Sequence, residues 1–406
     1  MIFMWATALL CFSMPLISKG IMLPVAIWVM AWFFVPKQHI RHQWKPILVF
    51  TGIYFFHLLG MLYTDNYGRG LADLEQKFSL LAFPLALGLV HKEVFRNRRL
   101  PIAAFVVGVV VSVLVAFAES ASKYRLSALI ADFYMSEFSP AHHPSYLALY
   151  MNCAIAWLLV AIYRGSFFGK RSVAAWILVY FLSFSLIFPA SKMGFIQFLT
   201  ILPFTLAYAF RQNRLRSVHT ALLIGVFVLF GLMLKFDPVA SQRVAATANV
   251  VAENNGAGEA PAEIESNTAR LYAWHLSTDE ISKHPFGVGT GDIHDVMVAR
   301  YTSEGLHTLA EKGLNPHNNY LQIALALGIP ALLWFLFSLL YPLPAIIKHQ
   351  DWIYAFFLMS IALHLLVESV LEKQSGVLFF AFFNAFLFFS IPKDRELHLR
   401  SKPPAL

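Results

Sequence analysis

Apolar runs long enough to cross a lipid bilayer recur along most of this chain, and that pattern leaves few folds open. A bilayer core offers no water to the backbone, so a spanning segment must be a helix or a strand of a closed barrel. Barrel strands alternate apolar and polar residues over segments of about ten, and no such alternation is present. The runs have helix length instead. The chain is 58% hydrophobic and only 13% charged, against roughly 25% charged in soluble domains. It reads as an all-α polytopic membrane protein.

Hydropathy places spans near residues 2–18, 21–36, 46–62, 77–91, 101–119, 145–163, 174–190, 194–210, 218–235, 319–342, 352–371 and 376–391, about twelve transmembrane helices. Residues 1–17 lack a basic leading region and a small-residue cleavage site, so the first span is expected to be retained. Cys11 and Cys153 both fall inside spans, which leaves neither a disulfide framework nor a thiolate zinc site.

Charge alternates between the loops. Arg41 and Lys45 follow the second span, Lys92, Arg96, Arg98 and Arg99 the fourth, and Arg164, Lys170 and Arg171 the sixth. Arg211, Arg214 and Arg216 follow the eighth, Lys348 the tenth, and the tail holds Lys393, Arg395 and Arg400. The intervening loops lack such clusters. The positive-inside rule then makes both termini cytoplasmic. It also reads the net charge of +8 as topological, with no nucleic-acid partner.

Three regions follow: residues 1–235 with nine helices, a large outward loop over 236–318, and residues 319–406 with three helices and a cytoplasmic tail. The loop holds five basic and eleven acidic residues. Its 245–262 stretch of Ala, Gly, Asn and Glu has little to bury and is expected to be mobile. A helix is expected from Asn267, capped there or at Thr268, with Leu271, Trp274, Thr278 and Ile281 on one face, ending at His284-Pro285.

Ionisable groups gathered where that loop re-enters the membrane are expensive unless they act. His317 is foremost, since an imidazole can take a proton from a hydroxyl near neutral pH. Asn318 and Asn319 beside it can hydrogen-bond a ring nitrogen or a sugar; a histidine there can equally just cap a helix. Arg270 can grip phosphate oxygens bidentately, or be a solvated helix-surface arginine. Ser191-Lys192, at the outward end of the seventh span, puts a cation against the usual charge bias, to meet an anion or to snorkel. Gly287, Gly289 and Gly291 could form a backbone nest for an anion, or an ordinary turn. Glu368 and Glu372 are candidate buried carboxylates, with Lys373 as the plain partner. His142 and His143 precede the sixth span on the same side; their spacing supports no metal site, and none is expected.

The segments Arg270-x3-Trp274, His284-Pro-Phe-Gly287-Val-Gly289 and Pro316-His-Asn-Asn-Tyr320-Leu-Gln-x5-Gly328 resemble the O-antigen ligase/polymerase superfamily of bacterial envelope glycosyltransferases. The resemblance extends to the twelve-span, GT-C-like layout with its large periplasmic loop between helices nine and ten. Two positions depart from the family pattern. Gly328-Ile-Pro-Ala331 lacks a second glycine, and Lys192 stands where an arginine is frequent. The resemblance implies a metal-independent, cofactor-free, inverting transfer of glycan from undecaprenyl pyrophosphate at the periplasmic face of the inner membrane. The acceptor implied is lipid A–core for a ligase, or another lipid-linked repeat for a polymerase. The 406-residue length looks more like a ligase. His317 is then the general base, with Arg270 and Lys192 on the pyrophosphate. Asn318, Asn319, Tyr320, Trp274, Gly287, Gly289, Ser191, His142 and His143 are the expected substrate contacts. A transporter of the same lipid would instead require broken helices in matched halves and polar groups at mid-membrane.

Overall fold

Each of the twelve apolar runs falls on a helix. The computed structural model describes residues 1–139, 141–165, 172–237 and 266–391, with positions 239 and 241. The 245–262 stretch, Lys170, Arg171 and the tail beyond Ile391 lie outside the described residues. In chain order the helices are α1 (Ile2–Ser13), α2 (Met22–Phe33), α3 (Trp44–Gly60), α4 (Tyr67–Lys77), α5 (Ser79–Gly88), α6 (Arg99–Ser127), α7 (Met135–Phe138), α8 (Pro144–Arg164) and α9 (Ser172–Ser185). They continue as α10 (Lys192–Arg211), α11 (Ser217–Phe236), α12 (Ser266–Lys283), α13 (Ile293–Ser303), α14 (His307–Lys312), α15 (Asn319–Leu340), α16 (Leu343–His349), α17 (Trp352–Leu365) and α18 (Gln374–Phe389). Among the described residues six segments, including Trp44–Tyr63, Arg99–Ser127 and Pro144–Arg164, are long and apolar enough to cross a membrane. No strand occurs among the described residues, beyond one isolated bridge between Lys37 and Val90.

Helix α8 runs through the middle. It is apolar on every side and buried along its length, as an interior helix must be. Around it Phe105 stacks on Phe379 at 5.6 Å and meets Phe383 and Tyr150 edge-on. Helix α11, by contrast, keeps only Leu223, Val226 and Phe230 buried and lies at the rim.

The loops sort to two ends. At one, Gln38 donates to the Gly88 carbonyl, Arg98 pairs with Asp351 at 2.6 Å and donates to the Ser390 carbonyl, Gln212 meets Gln350, and Arg214 donates to the Arg164 carbonyl. At the other, Tyr63 donates to Phe286, Asn66 meets Asp292 and Asp295, Lys123 pairs with Glu137, and Arg270 with Glu368. The basic loops thus share one end, as their alternation in sequence requires.

Two expectations need correction here. In α12 the buried residues are Ala269, Ala273, Leu276, Ser277 and Glu280, whereas Thr278 is exposed. The small side chains every fourth residue let α12 lie close on α15, so size rather than hydrophobicity picked the face. The anion nest does not form. Gly287 N–H donates to His284, Val288 to Leu325, Gly289 to Ala326, Thr290 to Gly60, and Gly291 to the Thr64 hydroxyl. This strap fills a break in α15, where Gly328 adopts φ +84° and Ile329 N–H donates to Pro285. A helix break buried in a membrane protein needs such outside partners. The approach is close: a Cβ on Gly287 would sit 2.3 Å from the Ala326 oxygen. Gly287 and Gly289 therefore serve packing and leave no N–H for a substrate.

Candidate active site

His317 occupies the last loop position but one before α15, with φ +47°, a left-handed conformation unusual for a side-chain-bearing residue. Strain of this kind persists only where the surroundings impose it. Three contacts do so. Tyr301 Oη donates to the Leu314 carbonyl at 3.0 Å, Trp274 Nε1 to the Pro316 carbonyl at 2.7 Å, and His317 N–H to Asn315 Oδ1 at 2.9 Å. Asn318 then caps α15, its Oδ1 accepting from the N–H groups of Tyr320 and Leu321.

The imidazole is aimed by a carboxylate from the far side of the fold. Its Nδ1 lies 3.4 Å from Glu368 Oε2, and Arg270 Nη2 lies 3.2 Å from Glu368 Oε1. Ser145 Oγ donates to the same Oε1 at 3.1 Å, and Ser191 Oγ is 3.5 Å from Ser145 Oγ. Glu368 is not within a helix, as a span over 352–371 implies: α17 ends at Leu365, which frees the segment 366–373 to carry both acidic residues. Burial by itself would raise the Glu368 pKa. The hydrogen bond with His317 and the charges of Arg270 and His143 outweigh burial and bring it down to about 2. An ionised Glu368 can accept from Nδ1–H of His317, the tautomer that leaves the lone pair on Nε2.

Beside this cluster lies a cleft of about 240 Å³ lined by Arg270 and His317 with Thr308, Lys312, Leu309 and Leu314. The His317 and Arg270 side chains keep 28% and 24% of their surface, enough for a substrate to reach both. The starts of α8 and α10 reach this cluster through Ser145 and Ser191.

The remaining expected residues divide. Ser191 caps α10 by accepting from Gly194 N–H, and Lys192, half-buried, is the first residue of that helix. His143 caps α8 through Nδ1; burial lowers its pKa, and Glu368 pulls it the other way. His142 is buried edge-on against Tyr150, and burial lowers its pKa to about 4. Asn319 Oδ1 accepts from Leu371 N–H, and Tyr320 Oη donates to the Ala362 carbonyl. Trp274, Asn318, Asn319 and Tyr320 thus help hold the His317 segment, while Nδ2 of Asn319 has no hydrogen-bond partner among the described residues. Glu372 pairs with Lys77 at 2.9 Å, not with Lys373. Among the described residues no group of three metal-ligating side chains is present.

Sequence reasoning passed over Thr308, Lys312 and Ser145. It noted Glu368 without giving it a role, although an ionisable residue at the end of a span is a standing pointer to function.

Residues 176–336 match the family described as O-antigen ligase, a stretch that includes Lys192, Arg270, His317 and Gly328. A protein of Rickettsia conorii named "Putative polysaccharide ligase" is 26% identical over 330 residues, covering 76% of this chain and 70% of its own length. Both likenesses point to the O-antigen ligase superfamily. The described residues fold as helices, several of them long and apolar enough to cross a membrane.

Proposed function

We propose that the protein transfers an O-antigen glycan from undecaprenyl pyrophosphate to lipid A–core at the periplasmic face of the bacterial inner membrane. The observation that carries this reading is the single carboxylate of Glu368 joining His317 to Arg270 at the mouth of a cleft. That arrangement puts a proton acceptor next to a cation that can hold phosphate.

In this reading His317 Nε2 takes the proton of the acceptor hydroxyl as its oxygen attacks the anomeric carbon of the donor sugar. The bond from that carbon to the pyrophosphate oxygen breaks on the opposite face, so the configuration inverts. Undecaprenyl pyrophosphate leaves, and Arg270 and Lys192 stabilise its growing charge. Glu368 offsets the imidazolium charge and leaves the rest of the Arg270 fork for the donor. These cations take the part a metal plays in other phosphate sites, so the transfer reads as metal-independent. In this reading the cluster faces the periplasm, supported by the basic loops lying at the opposite end of the helices.

Reconstitution tests the reading. Purified full-length protein in detergent, given undecaprenyl-pyrophosphate-linked O-antigen and lipid A–core, should form the joined product, and His317→Ala should not. Joining at the wild-type rate by His317→Ala would sink the base assignment, and elongation of the lipid-linked glycan in place of joining would make the protein a polymerase.

A further inference from the structure

A second ion cluster lies behind the first. The Lys77 side chain is only 3% exposed, yet it pairs with two carboxylates, Asp73 one turn earlier in α4 and Glu372 at 2.9 Å. Asp73 Oδ2 in turn lies 3.1 Å from His57 Nδ1 in α3. Lys77 does not line the cleft. Its partner Glu372, however, closes the tight turn Val370–Glu372, whose first anchor is Glu372 N–H donating to Ser369. Glu368 stands two residues before Val370, where that turn begins. From the other side the turn is gripped by the His317 segment, through Leu371 N–H to Asn319 Oδ1 at 2.8 Å and Ser369 Oγ to Asn315 Oδ1 at 3.3 Å.

We infer that Lys77 is a positioning residue for the His317–Glu368–Arg270 site, acting through Glu372 and the turn that joins Glu372 to Glu368. The inference rests on the transferase reading of that site. The turn is held between α4 and the loop before α15, so Lys77 sets one of its two anchors. Without the ammonium, the largely buried Asp73 and Glu372 are left close together with no cation between them, and like charges there must separate or take up a proton. Either response moves the turn, and Glu368 moves with it. The contact from Glu368 to His317 is already long at 3.4 Å, and a displacement of about 1 Å at a reacting group can lower a rate about a hundredfold. Packing alone does not call for this cluster, because apolar residues of similar volume often replace a buried ion pair without loss of stability.

The test uses the full chain in detergent with undecaprenyl-pyrophosphate-linked O-antigen and lipid A–core, and measures steady-state kinetics together with hydrogen–deuterium exchange. Lys77→Met should lower kcat about ten- to hundredfold, keep KM for the donor within about threefold, and speed exchange in peptides covering 315–321 and 366–374 but not 90–98. Lys77→Arg should recover most of both losses. Unchanged kcat and unchanged local exchange in Lys77→Met would overturn the inference. So would faster exchange across the whole molecule in step with the lost activity. If Lys77→Met fails to fold, Glu372→Gln, which leaves Lys77 paired with Asp73, should show the same local pattern more weakly; absence of that pattern overturns the proposal. If the wild-type protein joins nothing, the transferase reading fails by itself, and the exchange measurement still decides whether Lys77 holds the turn.

Discussion

Glu368 and Glu372 sit four residues apart on one connecting segment, yet they belong to two differently built ion clusters. Glu368 serves Arg270, His317 and Ser145 and opens on a cleft, with its two charged partners a quarter exposed. Glu372 serves Lys77, which is sealed and shared with Asp73. In the open cluster one carboxylate is divided among several donors, so imidazole and guanidinium keep unused capacity for a substrate. In the closed cluster two carboxylates saturate one ammonium, so nothing is left to bind. The ratio of acids to bases, more than burial alone, separates a group that can react from a group that can only hold.

The sharpest way to break this distinction is His317→Ala. It should cost about 10²–10⁴ in transfer rate, the usual worth of a general base, while the melting temperature of the purified protein stays near wild type. A large fall in melting temperature would place His317 with the holding groups. Next comes Asp73→Asn in the closed cluster. It leaves Lys77 one carboxylate and should lower stability by about 3 kcal/mol, the lower end for a broken buried pair, as read from detergent-denaturation midpoints; an unchanged midpoint would mean the cluster is not dry.

Arg270→Lys probes the unused capacity of the open cluster. An ammonium can keep a bond to Glu368 but loses the planar fork, so transfer should fall about ten- to hundredfold with the loss greatest at limiting donor. Wild-type rates at every donor concentration would take Arg270 off the pyrophosphate. The smallest effect concerns pH. Glu368 has its pKa lowered in the folded protein to about 2 from an ordinary 4.5. The stability it lends is complete above pH 4.5 and drains away as pH falls from 4.5 toward 2. Melting curves of Glu368→Gln should therefore lack part of the wild-type decline over that window; parallel declines would mean that His317 and Arg270 do not hold the carboxylate ionised.

Much of this site was legible before folding. His317 and Arg270 stood out because ionisable residues beside a membrane span are costly, and the structure brings both to one cleft. The asparagines after His317 were read as sugar ligands because an isolated Asn shows only its chemistry. Its partners, the N–H groups of Tyr320, Leu321 and Leu371, become visible with the helix start and the returning turn. The glycines of the strap misled for a similar reason. Positive φ serves a nest and a close approach equally well, and only the broken α15 shows which one is in use.

By itself the sequence determined the class, the helices and the sorting of loops to two ends, because hydropathy over twenty residues and the bias of basic charge act locally and need no partner. The pairing of Glu368 with His317 and Arg270, and of Glu372 with Lys77, was decided only in the folded bundle. Those contacts join residues from about fifty to about three hundred positions apart. An ion pair inside a low-dielectric bundle is fixed by which helices pack side by side, and that choice is made by shape across the whole interior rather than by any one segment.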